Sequence, residues 1–189
     1  MANIVSIGDT RYLVDVGYGA DGPSQPLPLV SGTSRGGLPG QDISLRHECL
    51  SQHQDPVQRV WIYATRKDFG SWNDVYHFAE TEFFPADFDV LNYYNMNLSS
   101  FAKTIVVQRF LLEEDTAEEN PCGFLLLIRD QLFLRKDGGQ ETLEIFRTED
   151  QRLRAFQQYF NIVLTQEQAE AIRGAPSELK ERIQTEGEG

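Results

Sequence analysis

The sequence predicts an α+β chain, an antiparallel β domain followed by a smaller α/β domain. Three observations lead there. Short β-branched and aromatic runs, separated by turn residues, occupy the chain as far as Phe78. Capped helical segments come late, at "TEDQRLRAFQQYF" and "TQEQAEAIR". No βαβαβ alternation links the two regions, which argues against a doubly wound parallel sheet.

Each element has its own signal. "NIVSI" and "RYLVDV", joined by "GDT", read as a hairpin. A glycine- and proline-rich stretch from Gly17 to about Gly40 reads as one long loop. "ISLRHECL", "RVWIYATR" and "VYHFAE" read as strands, and "PADFDVLNYYNMN" as a helix with Pro85 near its first turn. "KTIVVQRFLL" is strand-like, and "FLLLIRDQLFLRK" is a hairpin turning near Asp130. Thr148 with Gln151, and Thr165 with Gln168, have the spacing of capping boxes. Leu153, Phe156 and Phe160 then fall on one helical face. Trp61, Tyr63, Phe83, Phe84, Tyr93 and Tyr94 read as core or interdomain packing. The acidic run Glu113 to Glu119 reads as a solvated loop, and the polar end from Ser177 as a fraying tail.

Composition narrows the function classes. The 189 residues carry a net charge of -12 and are 40% hydrophobic, so the chain reads as globular and acidic. An acidic surface is repelled by phosphate backbones and anionic lipid, so neither nucleic acid nor membrane is an expected partner. No apolar run reaches spanning length, and "MANIVSIG" lacks the features of a signal peptide. Two cysteines, Cys49 and Cys122, give no disulfide framework and suit a reducing, cytoplasmic setting.

The chemistry concentrates in "YLVDVGYGADG", residues 12–22. Gly17, Gly19 and Gly22 spell G-x-G-x-x-G after a strand. A dinucleotide site needs a helix to open at the third glycine, facing the pyrophosphate. Pro23, Pro26 and Pro28 follow instead, and prolines at that density oppose a helix. The glycines suit a turn with positive φ, or a backbone that approaches a ligand closely beside Tyr18. Asp15 is the costly residue. On an extended strand it shares a face with Leu13, while Tyr12, Val14 and Val16 share the other, so its carboxylate is expected to be at least partly buried. Either loop N–H groups after Gly17 satisfy it, or it orients a histidine in a nucleophile–His–Asp set.

"YLVDVGYG" followed by "QPLPL" resembles the arylamine N-acetyltransferases, and most closely their fungal branch. "RVWIYATR", "FFPADFDVLNYYNMNLSSF" and "RTEDQRLRAFQQYFNIVLTQEQAEAIR" extend the resemblance over most of the chain. It implies a cysteine-proteinase-like fold with the N-terminal helical domain missing. Residues 1–84 would form a β-barrel domain, 85–97 an interdomain helix, 98–176 a third α/β lid domain and 177–189 a polar tail. It implies a cytoplasmic acyltransferase of xenobiotic metabolism working by a ping-pong route. A cysteine takes the acyl group from acetyl-CoA (or malonyl-CoA) and passes it to an aromatic amine or hydrazine, with no metal. Asp15 matches the aspartate that fixes the catalytic histidine. Tyr18, with Gly17 and Gly19, matches the segment lining the acceptor pocket, and Ser99 and Ser100 fall in the segment that contributes to the CoA cleft. The family's cysteine and histidine precede this motif and have no counterpart here. A truncated chain of this kind is expected to be inactive alone. Its alternative role is that of a CoA-binding or regulatory module able to self-associate through its uncovered face. A displaced start codon, a truncated paralogue or a fragment would each give such a sequence.

Local substitutes are weak. His47 and Cys49, two apart on a strand, form a conceivable thiol–imidazole pair. Adding His53 gives H-x-C-x3-H, which lacks the paired spacing of structural zinc sites. His77 reads as a hydrogen-bonded core histidine, and Cys122 only marks a loop-to-strand junction.

Overall fold

A hairpin opens the computed structural model, which describes residues 2–19, 21–113 and 121–179. β1 (Asn3–Ile7) and β2 (Thr10–Val14) pair antiparallel, from Ile7 opposite Thr10 to Asn3 opposite Val14. Gly8 supplies the positive φ that so short a turn requires. The expected long loop from Gly17 to Gly40 is wrong in part. It contains β3 (Leu27–Pro28), paired with β2, and β4 (Thr33–Gly36). Leu27 packs opposite Leu13, and both are fully buried. Pro28 is tolerated because β3 is an edge strand with no further neighbour to donate to.

β5 (Gln41–Glu48), β6 (Val60–Lys67) and β7 (Asn73–Phe78) complete a second antiparallel sheet in the order β4-β5-β6-β7. β6 is buried continuously from Val60 to Arg66's neighbour Thr65, as an interior strand covered on both faces should be. The two sheets share one core. Leu13, Leu27 and Leu29 meet Ile43, Leu45, Trp61 and Tyr63. Each such aliphatic side chain contributes about 1.5–3 kcal/mol by leaving water. His77 is exposed on the edge strand β7, not in the core as the sequence suggested.

The chain divides into two compact units. One holds Met1–Glu82 with Leu111–Gly123 and Lys136–Gly138; the other holds Phe83–Phe110, Phe124–Arg135 and Gly139–Gly189. After Glu82 come α1 (Asp87–Asn97) and a 3-10 turn at Ser100–Ala102. β8 (Val106–Leu112), β9 (Pro121–Ile128), β10 (Gln131–Lys136) and β11 (Gly139–Ile145) form a sheet in the order β11-β10-β9-β8. The β9–β10 turn falls at Arg129 and Asp130, with Arg129 in the left-handed region. α2 (Glu149–Phe160) carries the capping box of Thr148 and Gln151 and ends on Asn161, also left-handed. Its Ala155 and Phe156 pack on Leu127, Leu132 and Phe146, with Leu153 and Phe160 alongside. α3 (Gln166–Glu170) begins at a second capping box, Thr165 with Gln168.

Three expectations need correction or a boundary. β11 was not foreseen, because "GQETLEI" is largely exposed and its apolar content is low. Phe83, Phe84, Tyr93 and Tyr94 are exposed, not core; α1 has no buried residue at all. Most of the acidic run, residues 114–120, and the tail beyond Leu179 lie outside the described residues. Among the described residues no helix is long and apolar enough to cross a membrane.

Candidate active site

β2 ends at Val14, one residue before the carboxylate. Val16 is 91% exposed, so the covered second face expected from strand alternation is not there. Asp15 nevertheless turns inward on the Leu13 side and is only 8% exposed. Its Oδ1 accepts the N–H of Gly17 at 2.9 Å and of Tyr18 at 3.2 Å. This is the loop-amide reading of the carboxylate, and it also fixes where the carboxylate points. Gly19, at φ +91, takes the conformation other residues avoid, and Gly22 N–H donates back to its carbonyl at 2.9 Å. A Cβ on Gly22 would stand 3.0 Å from the Tyr18 Cβ, so that glycine is needed for close approach. Gly17 has neither constraint. No helix follows Gly22; the chain runs into β3.

Aromatic rings gather around the carboxylate. Tyr18 lies 5.0 Å from the Tyr76 ring, and Tyr76 stacks 5.1 Å from Tyr63, its cross-strand partner. The Tyr63 and Tyr76 hydroxyls are buried and have no hydrogen bond of ordinary geometry. Burial first, then the charges of Asp21 and Asp15, raise the Tyr63 phenol well above its usual range. Burial and then Asp15 do the same for Tyr76, whose hydroxyl lies close enough to feel that carboxylate directly. Both phenols therefore stay protonated beside the negative charge. Outside Tyr18 opens a groove of about 480 Å³ that Asp21, Arg66, Asn73 and Asp74 also line.

Sequence reasoning missed Tyr63 and Tyr76 as companions of Asp15. Both stand in segments that read as strands, but a register between distant strands cannot be read from spacing. Ser99 and Ser100 are not brought into this cluster's unit. Ser99 is buried and caps the 3-10 turn, accepting from Phe101 N–H at 3.2 Å and donating to the Asn95 carbonyl at 2.9 Å. Ser100 is exposed within that turn. A larger cavity, about 880 Å³, lies in the second unit between Lys103, Arg129, Arg147 and Arg152 and holds none of the predicted site residues.

The histidine–cysteine readings change partners. His47 stacks on Trp61 at 4.6 Å and does not pair with Cys49; His53 does. Among the described residues no group of three or more His, Cys, Asp or Glu is placed to hold a metal.

The first compact unit is thus a β scaffold with an inward carboxylate beside an aromatic wall, and the second a sheet packed by a capped helix. A family model described as N-acetyltransferase matches residues 1–169, and the chain belongs to that family. The N-malonyltransferase FDB2 of Gibberella moniliformis is 27% identical over 182 residues, covering 91% of this chain and 52% of the relative. The protein of the same name from Fusarium pseudograminearum is 28% identical, with 95% and 54% covered. Among solved structures, the arylamine N-acetyltransferase of Salmonella typhimurium superposes with a TM-score of 0.68 at 19% identity, over 89% of this chain and 58% of that one. The Mycobacterium abscessus enzyme gives 0.67 at 20% identity, over 88% and 55%. The Mycobacterium marinum enzyme in complex with CoA gives 0.65 at 19%, over 90% and 58%. These likenesses show that the matched part of the chain has the α+β fold of the arylamine N-acetyltransferase structures. The chain spans about half the length of the relatives it matches.

Proposed function

We propose that residues 1–189 form the Asp-bearing part of a CoA-thioester-dependent N-acyltransferase acting on aromatic amines or hydrazines. The observation that carries this reading is Asp15: a buried carboxylate aimed by the Gly17 and Tyr18 amides, beside Tyr18, within the family match. A carboxylate held this way can accept a ring N–H, fix an imidazole's tautomer and stabilise its cation. The ping-pong route then runs as follows. A cysteine thiolate attacks the thioester carbonyl and CoA leaves as its thiol with the proton held by the imidazolium; the amine nitrogen then attacks the acyl carbon, expels the cysteine thiolate and gives up its proton to the imidazole. Tyr18, Gly17 and Gly19 shape the acceptor side, and Ser99 and Ser100 belong to the CoA side. The fungal relatives' name favours a malonyl donor over an acetyl one.

The resemblance puts the nucleophile and the base ahead of the aspartate motif, so this chain alone carries out no transfer. A cytoplasmic setting and a role in xenobiotic metabolism belong to the same reading. The chain's domain plan, residues 1–84, 85–97, 98–176 and 177–189, is proposed with it. The second reading, a CoA-binding or self-associating module, draws on α1, none of whose residues is buried.

The test supplies acetyl-CoA or malonyl-CoA with an arylamine and measures CoA release, beside a calorimetric CoA titration and sedimentation. No turnover with measurable CoA binding is expected. Steady turnover by this chain would overturn the assignment of the missing groups. Absence of CoA binding in a soluble monomer would overturn both the cleft and the module reading.

A further inference from the structure

The loop between β5 and β6 carries a second reactive arrangement that the acyl-transfer reading does not use. Cys49 is exposed, and its Sγ lies 3.6 Å from His53 Nδ1. The loop's own hydrogen bonds make this contact. His53 N–H donates to the Leu50 carbonyl at 3.0 Å, folding the imidazole back over Cys49. Gln58 N–H donates to the Asp55 carbonyl at 3.2 Å, and Val57 N–H to Asp55 Oδ1 at 3.0 Å, which closes the loop's far side.

The surroundings of Nδ1 serve both of its protonation states. Leu50 N–H lies 3.3 Å away and can donate to the bare nitrogen. The Gln58 carbonyl lies 3.1 Å away and can accept once that nitrogen carries a proton. A proton leaving the thiol therefore arrives where an acceptor already stands. The resulting imidazolium remains in contact with the thiolate it created. Among the described residues Cys122 has no such neighbour. It is half-buried in β9 and reads as a packing cysteine.

We propose that Cys49 and His53 form an electrophile-reactive thiol site that takes soft Michael acceptors, such as α,β-unsaturated carbonyl compounds. His53 Nδ1 receives the Cys49 proton. The sulfur forms a bond to the β-carbon, the π pair moves to the enolate, and the proton passes from imidazolium or water to the α-carbon. All atoms of both reactants are retained, and no oxidant or leaving group is required. The site is independent of Asp15 and survives if the acyltransferase reading fails.

N-ethylmaleimide is the probe, with the folded full chain, and peptide mass spectrometry follows each cysteine. Cys49 is expected to react about tenfold faster than Cys122 and faster than Cys49 in the urea-unfolded chain, a modest share of what a positioned base can give. His53→Gln, which retains an amide for the loop, should bring Cys49 down to its unfolded-chain rate, whereas His77→Gln should leave it unchanged. Equal rates for folded and unfolded Cys49 would overturn the proposal. So would a His53→Gln chain with an unchanged melting curve and an unchanged rate. The folded-against-unfolded comparison needs no variant and stands if His53→Gln misfolds.

Discussion

Asp15 shows how little sequence surrounds a costly residue. Tyr63 and Tyr76, the two phenols that its charge reaches, come from strands far along the chain. Its charge changes how those phenols titrate. Their ordinary value is 10.0, and in the folded protein both lie above it. The neutral form is thus favoured by folding. The associated stability is fully present below pH 10.0 and is lost as pH rises through the higher folded values. Absorbance at alkaline pH should show Tyr63 and Tyr76 ionising only as the protein unfolds. In Asp15→Asn, Tyr76 should ionise at lower pH than in the parent, because one of its two main causes is gone; an unchanged titration would place the carboxylate elsewhere.

At the scale of elements, the strands and caps were legible and the short edge pieces were not. Both capping boxes, the first hairpin and the Asp130 turn follow from local rules: a Thr three residues before a Gln, or two β-branched runs around a glycine. β3 and β4 depend on partners, Leu13 for one and β5 for the other, so a local reading sees only Gly and Pro. Asp15 and Tyr18 could be picked out because the motif is contiguous, whereas the Tyr63–Tyr76 contact needs the β6–β7 register. Arg152 was also invisible. It sits on the core side of α2 at 1% exposure, paired with Glu149 and donating to the carbonyls of Arg129 and Ser177, each at 3.0 Å. Burial pulls its guanidinium below its usual value against the opposing pull of Glu149. Arg152→Ala strands both carbonyls and the carboxylate, and should cost about 3 kcal/mol in urea denaturation. Glu149→Gln, which keeps an acceptor but leaves the cation unpaired, should also destabilise.

For the whole molecule, the informative feature is α1. Val90 is 74% exposed and Met96 76%, and no residue of the helix is buried. An eleven-residue helix has little reason to persist on propensity alone, since short isolated helices are marginal in water. Its opening free energy should be close to zero. The helix begins five residues past Glu82, where one compact unit gives way to the other. A trace of chymotrypsin should therefore nick the chain first at Phe88, Tyr93 or Tyr94, ahead of the many aromatic bonds inside the two cores. Cleavage beginning within β6 or α2 would contradict that order. The molecule thus carries its own perforation line, and whatever shields these tyrosines from a protease in the cell also decides how long the polypeptide lasts there.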